Sequence, residues 1–530
     1  MSHTMPTTLS RPTSTDILVI GGGPSGSYAA SALAREGFNV TLLEKDHFPR
    51  YHIGESLLPS SRSFMRFIGA EQKVLDHGFT VKVGAAVKLN QHKREGYTDF
   101  VNPDPTKAAW NVVRSEFDEI LLRHAASSGA AVHEGIAVTS IKFGRAGDEK
   151  RPVAATWKSD EGETGEIQFN WLVDGSGKNG IMSTKYMKNR KFNNTLKNIA
   201  FWAYWKGAGT YMPGTKRENA PWFEALVDES GWAWFIPLHN GTVSVGIVLN
   251  EELSRVKKSK FTGPDAAKEH YLTELQRAPG TLKLMGNATM SSEVKSAGDY
   301  SYSASAYAGP GYRVAGDAGA FIDPFFSSGV HLAFAGGLSA ATTIAASIRG
   351  QVTEEEAITF HNEKVGTSYT RFLVVVLSIY RQINSQAAPV LADVDEDNFD
   401  RAFDFLRPII QGTADTVNAG VTEATVQATM DFCEHALGPT TPEMASAVAE
   451  RVDASLIAPD GAIKSTAEVA EIAGSDEEAK QVLLRVNARK AVEGIYDWEG
   501  NFQSEVLNGF SVQLETGKLG LRRVGATKAM

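Results

Sequence analysis

Asp16-Ile-Leu-Val-Ile20 is a short apolar run that stops abruptly at Gly21-Gly-Gly-Pro-Ser25-Gly26, and a helix-like stretch from Ser27 to Arg35 follows. Gly37 closes that stretch, and Phe38-Asn-Val-Thr-Leu-Leu43 then reads as a second strand ending at Glu44. Strand, GxGxxG, helix, strand and acid in this order leave a chain few choices. Gly21 permits the tight turn, Gly23 lets the backbone approach a pyrophosphate, and Gly26 lets the helix pack on the strand. Ser25 lies in the same turn, where the helix N-terminus faces the phosphates. Glu44, eighteen residues after Gly26, can accept ribose hydroxyls. The fold class this predicts is α/β with α+β elements, built on a Rossmann-like dinucleotide-binding domain. A glycine turn of purely structural purpose is the bland alternative.

Three later segments repeat the strand-into-turn pattern. Trp110-Asn-Val-Val-Arg114 runs toward a helix with Asp118 four residues after Arg114, Leu172-Val-Asp174 meets Gly-Ser-Gly177, and Val314-Ala-Gly-Asp317 meets Ala-Gly319. Each alone is an ordinary loop. Together, in this order, they resemble the FAD-binding fold of the para-hydroxybenzoate hydroxylase class. That resemblance implies that Asp317 holds the ribityl chain and that Arg114 and Asp174 lie near the cofactor. No second GxGxxG with a following helix occurs, so NAD(P)H either visits the flavin transiently or reduced flavin arrives from another protein.

Composition narrows the rest. A net charge of −9 over 530 residues does not favour nucleic acid, which selects a basic face. The apolar run Phe372 to Leu377 is six residues and too short to span a membrane. The polar first 15 residues hold no signal-peptide core. The single cysteine, Cys433, cannot pair internally and reads as a small core residue. A soluble cytoplasmic protein is expected. Glycine is in excess, 49 of 530 residues against an average of about 7%.

Pro152 to Trp157 and Glu166 to Leu172 read as a hairpin, and 198–300, including Gly241 to Leu249, as an inserted antiparallel sheet on the substrate side. Beyond about 330 the pattern turns helical. Thr353-Glu-Glu-Glu356 and Ser475-Asp-Glu-Glu478 read as capping boxes, Pro442 as a first helical residue, and Val482, Leu483 and Val486 as one face. The expected division is 14–350, an interleaved FAD and substrate-side unit, and 351–530, a helical cover over the substrate.

Gly231-Trp-Ala-Trp-Phe-Ile-Pro237 is the most specific segment. As a strand it puts Trp232, Trp234 and Ile236 on one face, and Phe235 and Pro237 on the other. Taken bare it is a tryptophan-rich core strand. In an FAD fold it matches GWxWxIP letter for letter, and the chain resembles the flavin-dependent halogenases, in particular the fungal type acting on phenolic or polyketide aromatics. Arg50-Tyr-His-Ile-Gly54-Glu55-Ser56 is similar to the family's loop against the flavin ring. Phe321-Ile-Asp-Pro-Phe-Phe326-Ser-Ser328-Gly329 fits the halide-binding pattern FxxPxxSxG. Backbone N–H groups at a helix opening there would suit a small anion; a plain Pro–Gly turn before a helix is the alternative and has the same geometry.

Gly78 to Leu89 alternates, with Val81, Val83, Val87 and Leu89 facing one way and Lys82 and Lys88 the other. Bare, both lysines read as solvent-face residues; in register with the family, Lys82 falls at the catalytic lysine. Tryptophan halogenases carry Glu where Phe326 stands here, which favours an already activated phenol over an indole.

The resemblance implies a halogenase using reduced FAD from a separate flavin reductase, O2, and chloride or bromide. Hypochlorous acid formed near Ser328 and Gly329 would pass Trp232 and Trp234 to Lys82. The alternatives are an FAD-dependent aromatic monooxygenase and a non-catalytic FAD-binding protein.

Overall fold

An apolar strand with no polar alternate must be covered on both faces. In the computed structural model Ile17, Leu18, Val19 and Ile20 are all buried. Residues 12–524 are described, apart from 93–94, 102–104, 145–148, 385, 387–441, 459–463, 465 and 497–505. Cys433 lies outside the described residues.

The chain begins β1 (Ile17–Ile20), α1 (Pro24–Arg35), β2 (Val40–Leu43), α2 (Ser60–Ile68), α3 (Glu71–His77), β3 (Thr80–Lys82), β4 (Gly84–Lys88), β5 (Gly96–Asp99), β6 (Ala109–Asn111) and α4 (Arg114–Ser127). It continues β7 (Ala131–His133), β8 (Ile136–Phe143), β9 (Pro152–Ser159), β10 (Thr164–Gln168), β11 (Trp171–Asp174), β12 (Arg190–Lys206), β13 (Trp222–Ala225), β14 (Gly231–Pro237) and β15 (Thr242–Asn250). Next come α5 (Glu251–Lys258), α6 (Ala266–Leu275), α7 (Pro279–Met285), β16 (Thr289–Met290), β17 (Lys295–Ala304), β18 (Ala308–Gly309), β19 (Tyr312–Val314) and β20 (Ala320–Phe321). The last part holds α8 (Gly329–Ile348), α9 (Glu354–Ile383), α10 (Pro442–Ala449), α11 (Ala454–Ile457), α12 (Thr466–Ala473), α13 (Glu477–Tyr496), β21 (Phe510–Gln513) and β22 (Gly520–Arg523).

A six-stranded sheet in the order β18-β19-β11-β1-β2-β7 forms the base; all its pairings are parallel except β18 with β19. The chain runs from β1 to β2 on one side while β11 flanks β1 on the other, so the glycine turn opens at a topological switch point, where such sheets bind ligands. A nine-stranded sheet, β20-β17-β12-β15-β14-β13-β4-β5 with β16 on β12, is the second large sheet. One apolar core lies around α1, α4 and α8, a second joins the two large sheets with α9, and a third lies under α6 and α7.

Several sequence expectations need correction. The alternating run 78–89 is two strands: β3 pairs with β6, while β4 joins the large sheet. The break reverses the facing at its start, so Val81 is 50% exposed and Lys82 only 2%. The hairpin is β9 with β10, and Trp171–Asp174 belongs to the parallel sheet. At α13 the cap is Asp476, whose carboxylate accepts from Ala479 N–H at 2.9 Å, and not a box from Ser475. The C-terminal region also carries a β-hairpin: Phe510, Val512, Leu519 and Leu521 pack into the core around α1 and α8. Thr353 and Glu356 do form a capping box, and Pro442 opens α10. Val482 is buried against Val448, with Val486 partly covered beside it. Phe372, Leu373 and Val376 are buried in α9.

Among the described residues one helix, α8, is long and apolar enough to cross a membrane, but 89% of its apolar window is buried inside the protein.

Gly21 has φ +96°, and a methyl group on Gly26 would run into the Gly21 carbonyl oxygen. Gly26→Ala is therefore expected to separate α1 from β1 and to lower the melting temperature of the purified protein.

Candidate active site

The dinucleotide loop is built as its residues require. β1 delivers Gly21–Gly23 to the uncapped N-terminus of α1, whose first N–H groups have no side-chain partner. Glu44 ends β2 buried, and its carboxylate accepts from the N–H groups of Gly22 and Asp46. Ser25 lies against Gly316, so the first turn of α1 meets the turn carrying Asp317. Tyr302 donates to the Asp317 carbonyl at 2.6 Å. Enclosure raises the Asp317 carboxyl, against the opposing pull of Lys178, Arg114 and Arg190. Asp174 is wholly buried, and its two oxygens accept from Ser176 N–H at 3.0 Å and Met182 N–H at 2.7 Å. Its visible work is to shape the turn after β11.

Loop 50–56 is held by ions. Arg114 opens α4 and donates to Asp118 one turn on, at 2.8 and 3.0 Å, while Arg50 reaches the same carboxylate at 2.8 Å. Burial pushes Asp118 up, but the two guanidinium groups outweigh it and hold the carboxyl below its usual range. Arg114 also donates to the carbonyls of Ile53 and Gly54, at 2.8 and 3.2 Å. Its charge, with burial, lowers His52 to about 4.

Beyond this clamp the loop turns inward. Glu55 accepts from Tyr204 O–H at 2.6 Å, but its second oxygen is buried without a partner, and burial raises the carboxyl to about 7. Tyr204 contacts Tyr51 O–H at 3.1 Å, and Trp202 donates to Tyr51 at 2.7 Å. Ser56 Oγ is likewise buried and unpartnered.

Lys82 closes β3. Its ammonium donates to the Leu57 carbonyl at 2.9 Å and lies 5.1 Å from the centre of the Phe100 ring. Burial alone lowers it to about 7, so near neutral pH much of it is a free amine.

Ser328 caps α8 with its hydroxyl buried and unpartnered, and Gly329 is exposed with open space before it. The turn is joined to loop 50–60 through His331 Nδ1 and Ser60 Oγ, 2.8 Å apart. Phe326 is partly buried, its ring centre 5.3 Å from that of Phe325.

On β14, Trp232, Trp234 and Ile236 share the second core while Phe235 faces the third; Pro237 is half-buried at the strand end. Trp232 donates to Tyr380 O–H at 2.8 Å, and Tyr380 donates to Asp323 at 2.6 Å. Asn198 donates to Asp323 at 3.1 Å and to Tyr380 at 2.8 Å. Trp234 donates to Ser244 at 3.1 Å. Sequence reasoning did not find Tyr380, Asp323, Asn198 or Glu55's tyrosine partners, because no local pattern links residues so far apart. Asp323 stood inside the FxxPxxSxG segment and was the one available signal.

The orphaned atoms of Glu55, Ser56 and Ser328 and the uncapped α1 terminus fit a flavin dinucleotide.

Two pH dependences follow. A lysine lowered from 10.5 to about 7 costs stability that is largest below pH 7 and gone above pH 10.5. Lys82→Met is therefore expected to gain on the order of 2–4 kcal/mol near pH 6.5, read by chemical denaturation, and little at pH 10.5. Glu55, raised from 4.5 to about 7, destabilises the fold increasingly as pH rises from 4.5 to 7. Glu55→Gln in FAD-free protein is expected to raise the melting temperature at pH 8 and leave it unchanged below pH 4.5.

The chain is similar to known proteins along nearly its whole length. The FAD binding domain family matches residues 14–366. The flavin-dependent halogenase armH1 of Armillaria mellea is 60% identical, over 97% of this chain and 99% of its own. The sulochrin halogenase gedL of Aspergillus terreus is 47% identical, over 97% of this chain and 94% of its own. The solved structure of the myxobacterial chondrochloren halogenase CndH, 26% identical, matches with a TM-score of 0.65 over 80% of this chain and 97% of that one. With identity this high over nearly the whole of both chains and a cradle of the right chemistry, the protein is an FAD-dependent enzyme that uses halide, and the chain belongs to the flavin-dependent halogenase family.

Proposed function

We propose that this protein halogenates an electron-rich phenolic natural product or its precursor, with Lys82 directing hypohalous acid onto the ring. The observation that carries the reading is a buried lysine that, among the described residues, has no carboxylate partner and hydrogen-bonds a backbone carbonyl beside loop 50–56. Bound reduced FAD supplies, with O2, the oxidising equivalent that converts chloride or bromide to hypohalous acid. Gly21, Gly23, Ser25, Gly26 and Glu44 would hold its dinucleotide end. Arg50, Gly54, Glu55, Ser56, Arg114, Asp174 and Asp317 would hold or shape the ribityl and ring end. Ser328 and Gly329 offer a hydroxyl and open backbone N–H groups to the halide.

The wall formed by Trp232 and Trp234 has both indole N–H groups satisfied, which suits a passage that must not quench an electrophile through a loose polar group. At Lys82 the amine would hydrogen-bond hypochlorous acid or take up its chlorine, and deliver it to a ring carbon whose hydrogen leaves as a proton. Phe326 supplies no carboxylate to assist, so the ring must already be activated, as a phenol is. A relative named for sulochrin supports a small-molecule substrate. A separate flavin reductase, a cytoplasmic location, and the division into 14–350 and a C-terminal cover, 351–530, belong to the same proposal.

The test supplies FAD, NADH, a flavin reductase, chloride or bromide and a phenol panel, followed by mass spectrometry. A halogen isotope doublet is expected with the wild type and none with Lys82→Ala, which keeps bound FAD. One added oxygen instead would make the protein a monooxygenase; halogenation surviving in Lys82→Ala would remove the lysine's role.

A further inference from the structure

Asn111, the last residue of β6, is wholly buried, yet neither its amide oxygen nor its amide nitrogen has a hydrogen-bond partner. Folded proteins rarely tolerate such a group unless a ligand or water completes it. Its neighbours show where it points. In the antiparallel β3–β6 pair Thr80 stands opposite Asn111 and Lys82 opposite Ala109. Opposed residues share a face, as do residues two apart, so Lys82 and Asn111 occupy diagonal positions on one face.

The other edge of β6 receives loop 50–60. Ser56 bridges to Asn111, flanked by Leu57 N–H to Trp110 at 3.0 Å and Val112 N–H to Glu55 at 2.7 Å. Ser56 therefore joins the same face, with its own hydroxyl buried and unpartnered. Of the two positions between Lys82 and Asn111 on this face, Ala109 adds only a methyl group and Thr80 a half-buried hydroxyl. Three buried polar side chains thus stand together with unused hydrogen-bonding capacity.

We propose that Asn111, aided by Ser56, is the hydroxyl-recognition site that holds the aromatic substrate beside Lys82. This rests on the phenolic reading above. The amide suits the task because it is neutral at every relevant pH and offers both functions. Its oxygen accepts from a phenol O–H, and its nitrogen donates to a phenol or phenolate oxygen. An aryl ether can only accept, so it leaves the amide oxygen unmet.

The experiment titrates FAD-loaded, oxidised protein, without reductase, against phloroglucinol and against 1,3,5-trimethoxybenzene by calorimetry. Wild type is expected to prefer phloroglucinol about ten-fold or more. Asn111→Leu is expected to erase that preference while retaining FAD; Asn111→Ala, which introduces no bulk, gives the same loss should the leucine variant not fold. Lys82→Ala is expected to keep the preference, so failure of the lysine's chemistry and failure of this site are separable. The proposal is overturned if wild type binds both probes alike or neither. It is equally overturned if the Asn111 variants keep the wild-type preference, or lose FAD affinity with the preference unchanged.

Discussion

The buried carboxylate of Asp118 is the point on which the site depends. A carboxylate removed from water is stable only when paired, and here two guanidinium groups from different segments meet it. One, Arg114, is in the same helix and fixes where α4 begins. The other, Arg50, comes from the loop after β2. Arg114 then spends its remaining donor on the carbonyls of Ile53 and Gly54. The loop is thus tied to the FAD-side helix by charge at one end and by β6 pairing at the other. Removing either arginine would leave Asp118 paired with the other alone, and removing Asp118 would leave the buried Arg114 without its carboxylate.

Lys82 is treated in the opposite way. Among the described residues no acid meets it, it is buried, and the fold bears the cost of a half-neutral amine. Such conflict between stability and local chemistry is expected at sites of reaction. Glu55 shows the same strain with the opposite charge, one oxygen bonded to Tyr204 and the other left open. The two residues lie on either side of the same short ribbon, so the region is preorganised at the expense of its own stability.

A third tie reaches the C-terminal part. Tyr380 on α9 connects Trp232 on β14 with Asp323, which also accepts the Phe325 N–H at 3.0 Å and so shapes the turn before Ser328. Gln386 donates to the Leu226 carbonyl, and its backbone carbonyl accepts from Asn90. Tyr380 and Gln386 thus tie the chain beyond 351 to β14, to the turn before α8 and to residues 90 and 226.

The amino-acid sequence by itself determined the glycine turn, its helix, Glu44, the facing of Trp232, Trp234 and Ile236, and the cap at Thr353. These are local: each follows from strand or helix periodicity and from turn chemistry within about ten residues. It did not determine the environment of Lys82. Alternation through 78–89 put Lys82 with Lys88, whereas the chain breaks at Val83 and sends the two into different sheets. Burial there comes from residues 55–57, Phe100 and β6, all distant in sequence. The same reason hid Tyr380, Asn198 and the buried, unpartnered polar atoms of Asn111. Hydrogen bonds between remote segments carry no periodic signal, so only the tertiary structure could decide which polar groups were paired and which were left open for a ligand.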